Sequence, residues 1–251
     1  MLVDKLDEGI VLLFWDGWKS HHPRKSHYVT ELSMPQGKGK PPLGRCIREQ
    51  WYNWKEVKPS DVNPTRILFK MIGGILHDHL FSACWKRAGV EFEEEVPLEL
   101  KKRNLQYPIH GKMDYLMELQ GKRIVEVKTT QGRGITNKGF GVKYKGPKVE
   151  HQLQLAWYYD HAGYSVEADF LYFGRDSFYR MDFPWEDIAN HPWKNKWSKA
   201  YARWVDLEKF VEEGLLPPMD FDGENFPCSW CEWQSRCHKD HRNEIKKAIN
   251  V

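Results

Sequence analysis

The sequence predicts one α/β domain, and three observations carry that reading. Apolar residues recur at helical spacing over 64–88 and again within 149–161. Between these segments the period drops to two, over 91–100, 109–119 and 122–129, and strand-like runs follow at 165–174 and 177–183. Cysteines stand towards both ends, at 46, 228, 231 and 237, with a fifth at 84. That spacing suits a ligand set better than a disulfide framework.

Composition sets the outer limits. The chain has 251 residues, 41% apolar and 29% charged, enough for a hydrophobic core and too apolar for a disordered chain. A net charge of +3 neither announces nor excludes a nucleic-acid partner. No apolar run reaches membrane-spanning length, so no membrane is expected. Asp4, Asp7 and Glu8 precede the first apolar run, the wrong order for a signal peptide, and the expectation is a cytoplasmic protein.

Each element has a local reason. Residues 5–20 suit a short helix carrying Ile10, Leu12, Leu13, Phe14 and Trp18, and the Gly- and Pro-rich stretch 31–45 suits a loop. Cys46 opens a segment with an aromatic helical face. Pro64 suits a helix start, and Leu68, Met71, Ile72, Ile75, Leu76, Leu80 and Cys84 repeat near helical spacing until Gly89. The central Gly73-Gly74 pair costs such a helix roughly 1–2 kcal/mol against alanines, which suggests a close backbone approach. Residues 192–213, with Trp193, Trp197, Tyr201 and Trp204, read as a helix whose aromatic face belongs to the core. Pro217, Pro218 and Gly223 mark a linker to the cysteine-rich terminus.

The chemistry concentrates on the strand IVEVK. Alternation places Glu126 and Lys128 on one face. One strand earlier, Asp114 sits within HGKMDYLME. If Leu119, Gln120 and Gly121 form a three-residue loop with Gly121 left-handed, Glu118 pairs with Lys122 and Asp114 pairs with Glu126. A two-residue turn would set Asp114 opposite Val127 instead. Adjacent carboxylates repel unless a cation joins them, and Mg²⁺ or Mn²⁺ prefers such oxygen ligands. The Val127 backbone carbonyl and His77 are candidates to complete the set, with Lys128 near the attacking water and the reacting phosphate. Taken singly, the same residues also suit a salt-bridged sheet face.

Two further groups stand out. Cys228-x2-Cys231-x5-Cys237 is a tight trio that needs a fourth thiolate. Cys46, flanked by Arg45 and Arg48, is a better fourth than Cys84, which reads as a small hydrophobe on the helix face. Four thiolates suit zinc or an iron–sulfur cluster. Residues 129–149 read as a glycine-rich loop in which Arg133, Lys138, Lys143, Lys145 and Lys148 are interleaved with Phe140 and Tyr144. Such a loop suits phosphate contact and base stacking with little sequence specificity.

These residues carry a resemblance. Asp114 followed by Glu126-Val127-Lys128 resembles the PD-(D/E)XK nuclease motif, in its RecB-type branch. GGILH resembles that branch's first motif, with His77 as metal ligand. HGKMD and EVK resemble the next two, with Asp114 and Glu126 as ligands and Lys128 as catalytic lysine. Gln154 to Tyr158 resembles its Gln-x-x-x-Tyr motif near the substrate phosphate, and helical spacing puts both residues on one face. With Cys46 early and three cysteines late, the chain is most similar to the CRISPR-associated iron–sulfur exonucleases, over roughly residues 28–238. A phage or housekeeping relative fits the same pattern.

The resemblance implies a restriction-endonuclease-like core with a mixed central sheet flanked by helices. It implies a Mg²⁺- or Mn²⁺-dependent DNA exonuclease that prefers single strands, with possible endonuclease activity. It also implies a four-iron four-sulfur cluster on Cys46, Cys228, Cys231 and Cys237. The cluster module would comprise 1–60 and 219–241 around a core at 61–213, all in one nuclease domain, 1–251. Partners would be DNA and CRISPR adaptation or recombination proteins. The alternative is a catalytically idle nucleic-acid-binding or adaptor protein with an iron–sulfur or zinc staple.

Overall fold

A computed structural model describes residues 26–31, 44–118, 121–130, 132–162, 167–174, 177–183, 197–221 and 227–249. The helix expected over 5–20, nearly all of the 31–45 loop, Trp193 and Gly223 lie outside these residues. For 69–70, 75–78, 132–133, 177–178, 197–198 and 247–249 the backbone alone is described.

The centre is a six-stranded mixed sheet. Its strands are β1 (His27–Tyr28), β2 (Phe92–Leu100), β3 (Ile109–Glu118), β4 (Lys122–Thr129), β5 (Glu167–Gly174) and β6 (Ser177–Phe183). The path runs β1-β3-β4-β5-β6, and β2 pairs with β3. β4 and β5 are parallel, joined through the helical segment between them, while the β2–β3, β3–β4 and β5–β6 pairs are antiparallel.

The β3–β4 hairpin has the register that the three-residue loop predicts. Glu118 pairs with Lys122 and Tyr115 with Val125, and Gly121 has φ +117°. The ladder stops at Tyr115. Further along the same edge of β3, β1 pairs with Ile109 and His110, and Gly111–Asp114 lie between the two partners.

Helices cover both faces. α1 spans Ile47–Trp54 and α2 spans Pro64–Ile75, which runs on through a π-helical turn, Leu76–Phe81, into α3 (Ser82–Arg87). Phe81 and Trp85 pack with Tyr115, Met117, Val125, Val127 and Leu171 on one face. The expected apolar stripe of this helix is only partly internal. Ile67 is buried, yet Leu68, Met71, Ile72, Leu80 and Cys84 are exposed, because only one flank of the helix meets the sheet. Of the glycine pair, Gly73 makes the close approach: a Cβ there would lie 2.9 Å from Thr129 Oγ1. Nothing lies within 4 Å of the corresponding point at Gly74.

The stretch expected as a loop at 129–149 contains two short helices, α4 (Gly132–Thr136) and α5 (Val142–Lys145). Buried Ile135 and Val142 anchor them, and a Cβ at Gly141 would meet the backbone oxygens of Ile135 and Asn137 at 2.5 and 2.6 Å. α6 (Val149–His161) then covers the other sheet face, burying Leu153, Leu155, Ala156 and Trp157. α7 (Trp197–Glu213) and α8 (Gln234–Ile249) complete the chain. Among the described residues no helix is long and apolar enough to cross a membrane.

Candidate active site

The site lies where β3 and β4 part. A strand edge that loses its neighbour leaves backbone donors and acceptors to be satisfied. Here side chains do that work. Asp114 Oδ2 accepts the Val127 N–H at 2.8 Å, so its carboxylate stands in the gap and not on either face. The Tyr158 hydroxyl donates to the Lys112 carbonyl at 2.8 Å. The expected pairing of Asp114 with Glu126 is thus replaced by contact of Asp114 with the next residue on β4.

The cause is local. Below this point Ile109 and Met113 face the α6 side, while Tyr115 and Met117 face the α2 side. Glu95, facing this position on β2, has φ +56° and no ladder partner. Both strands therefore change face at one place, and Asp114 falls at the crossover.

Glu126 is fully buried and bonds Lys128. Lys128 Nζ also donates to Gln154 Oε1 at 2.9 Å, and Gln154 Nε2 donates to the Tyr158 hydroxyl at 2.7 Å. An ammonium can only donate, so the Gln154 oxygen must face it and the amide N–H₂ must face Tyr158. Tyr158 must then pass its proton to Lys112. The chain of bonds has one possible direction. Burial and the charge of Glu126 hold the Tyr158 phenol far above its usual pKa, so it remains a donor. Tyr158 is 1% exposed, and its hydroxyl lies beyond Gln154 in this chain of bonds.

Asp114 and Glu126 flank Val127, and the donor chemistry fits a hard divalent ion: two carboxylate groups and a backbone carbonyl. The backbone of His77 lies in the Leu76–Phe81 turn, and its side chain is outside the described residues. Among the described residues no three His, Cys, Asp or Glu side chains are grouped to hold an ion.

The lysines of 129–149 follow directly on β4. Lys138, Lys143, Lys145 and Lys148 are exposed, as are Phe140 and Tyr144, and the side chain of Arg133 is not described.

Two residues next to this site carry no motif. His151 Nδ1 lies 2.9 Å from the Tyr172 hydroxyl, and Tyr172 is paired with Lys128 across β4 and β5. The available signal was spacing, since His151 precedes Gln154 by one helical turn.

The four nominated cysteines share one cavity. Cys46, Cys228, Cys231 and Cys237 line it together with Tyr52 and His238. Burial pushes the Cys46 thiol up to about 12 and raises Cys231 and Cys237 as well. Arg48 opposes the rise at Cys237, with Nη1 at 3.9 Å from Sγ. Thiolates in such a place need a cation beside them.

A family model of the PD-(D/E)XK nuclease superfamily matches residues 28–238. The chain belongs to this superfamily. PD-(D/E)XK nucleases hydrolyse nucleic-acid phosphodiesters and use divalent metals such as Mg²⁺ and Mn²⁺. The crystal structure of SSO0001 is similar at 20% identity, with a TM-score of 0.53, and the match covers 94% of this chain and 97% of that one. Such a likeness carries the fold alone. No curated protein matches the chain.

Proposed function

We propose that the protein is a metal-dependent DNA exonuclease that prefers single strands or free ends and is stabilised by a four-iron four-sulfur cluster. The observation that supports the nuclease reading is the meeting of Asp114, Glu126 and Lys128 at one end of β4, in a chain of a nuclease superfamily. Asp114, Glu126, the Val127 carbonyl and His77 are the residues to hold Mg²⁺ or Mn²⁺, which supplies charge stabilisation at the reacting phosphate.

The chain does the rest. Lys128 has three protons, and Glu126 and Gln154 engage two. The third is left for a phosphate oxygen. There it balances the charge that grows as the water oxygen bonds to phosphorus and the bond to the leaving oxygen breaks. The water gives up one proton, and the leaving oxygen gains one. Gln154 and Tyr158 position Lys128. Arg133, Lys138, Lys143 and Lys145 are proposed to hold the strand while Phe140 and Tyr144 stack on unpaired bases. The single-strand preference, and partners in CRISPR adaptation or recombination, rest on the family resemblance.

End-labelled single- and double-stranded DNA, with and without Mg²⁺ or Mn²⁺, tests the reaction. Asp114→Ala and Glu126→Gln should each reduce cleavage by about two to three orders of magnitude. Cleavage unchanged by both would sink the catalytic assignment.

The cluster is supported by the thiol-lined cavity and by its position between segments far apart in sequence. Anaerobically purified protein should absorb broadly near ~400 nm. Cys46→Ser should bleach that band and Cys84→Ser should leave it. A colourless protein carrying zinc would overturn this part alone.

A further inference from the structure

We infer that His151 is a further substrate-binding residue, whose Nε2–H donates to a phosphate oxygen of the bound strand beside Lys128. The inference rests on the nuclease reading of the site and adds a contact to it.

Placement comes first. Glu126 and Lys128 share a sheet face with their parallel partners Phe170 and Tyr172. The His151 ring lies over that face, 6.5 Å from the Phe170 ring and 5.7 Å from the Tyr172 ring, centre to centre. It sits one turn before Gln154 on α6, on the same side of the helix. Half-buried, it also lies near enough to Lys128 to feel its charge.

One tautomer of His151 serves this contact. In it the Tyr172 hydroxyl, 2.9 Å away, gives its proton to His151 Nδ1. A neutral imidazole that accepts at Nδ1 carries its proton on Nε2. That atom has no hydrogen-bond partner among the described residues, and it is not buried. Burial and the charges of Lys128 and Lys148 push the His151 pKa down to about 2, so the ring offers a neutral donor throughout the working pH range. A donor of fixed direction is thus held among cations, beside the place where the nuclease reading puts the phosphate.

Neutrality gives the test. A cation that meets a phosphate releases counterions and adds to the salt dependence of binding, and a neutral donor does not. End-labelled single-stranded DNA is titrated by fluorescence anisotropy over a salt series, in Ca²⁺ to suppress cleavage. The proteins are the wild type, His151→Phe, His151→Gln and Lys145→Ala, each checked by thermal melting. His151→Phe should bind about tenfold more weakly with the salt slope unchanged. His151→Gln, whose amide N–H reaches close to the Nε2 position, should recover most of the affinity. Lys145→Ala should flatten the slope by about 0.7. Wild-type affinity in His151→Phe would overturn the inference. So would a flatter slope in that variant, or a Gln variant as weak as Phe. Wild type that binds no DNA would overturn the nuclease reading as well. Binding as expected, with cleavage indifferent to Asp114→Ala, would overturn only the catalytic assignment.

Discussion

Lys128 is held in place by bonds whose direction admits no alternative, and the last of them ends on backbone. Tyr158 therefore does two jobs: it fixes Gln154, and it satisfies the Lys112 carbonyl left without a strand partner. Tyr158→Phe should cost about 0.5–1.5 kcal/mol in denaturant melts, because its bonds to Gln154 and to the part-buried Lys112 carbonyl are lost. It should also lower single-turnover cleavage by about tenfold while DNA affinity stays near wild type. An equal fall in affinity would move Tyr158 from positioning into substrate contact. Glu126 and Lys128 were legible in the sequence through strand alternation, and the hairpin register through the turn at Gly121. The crossover that turns Asp114 into the gap was not legible. It depends on the left-handed backbone of Glu95, a residue with no glycine to mark it. His151 was hidden for another reason: a lone histidine on a helix gains meaning only when Tyr172, twenty-one residues away, is seen to bond it.

Among the elements, periodicity found most boundaries, and β4, β6 and α6 begin and end where the pattern predicts. It failed where its premise failed. Helical spacing at 64–88 identifies a helix, but spacing cannot tell which side has a partner, so residues expected inside stand exposed. Glycine density at 129–149 suggests a loop, whereas Ile135 and Val142 supply enough buried contact to order short helices. The Gly73-Gly74 pair separates into two cases. At Gly73 a methyl group would meet Thr129, the residue after Lys128, at 2.9 Å. Gly73→Ala should therefore lower stability by about 1–3 kcal/mol through overpacking. Gly74→Ala meets open space and should raise stability by roughly 0.5–1 kcal/mol, the ordinary helical gain over glycine. Thermal melting of the two single variants checks this. Shifts of the same sign would mean that α2 does not bear on the end of β4 as described.

Across the molecule, early and late segments are tied together by side chains as well as by the thiol-lined cavity. Buried Arg48 bonds Glu244 at 2.9 Å and the Pro217 carbonyl at 2.7 Å, and Trp233 donates to the Val57 carbonyl at 2.9 Å. His27 is the most enclosed of these ties. It stacks on Trp204, touches Trp54, and holds Glu208 at 2.8 Å through Nε2. Glu208 also accepts the backbone N–H groups of Gln106 and Tyr107, at 2.9 and 3.0 Å. Burial keeps the His27 pKa below its usual 6.5, and the Glu208 charge offsets this only in part. The unfolded chain takes up a proton at this residue as pH falls through about 6.5, while the folded chain does so only at lower pH. The contribution is whole above that value and is lost progressively below it. His151 and His161, also lowered, act in the same direction. Each such histidine contributes at most about 1.4 kcal/mol per pH unit. Denaturant midpoints should therefore fall between pH 7.5 and 5.5, a window above the titration of ordinary carboxylates. His27→Gln should be less stable at pH 7.5, since Glu208 loses an aromatic-stacked partner, and its midpoint should fall less steeply over the same window. Wild type and variant running parallel would show that His27 takes no part in the pH dependence, and that the early segment is held by packing alone.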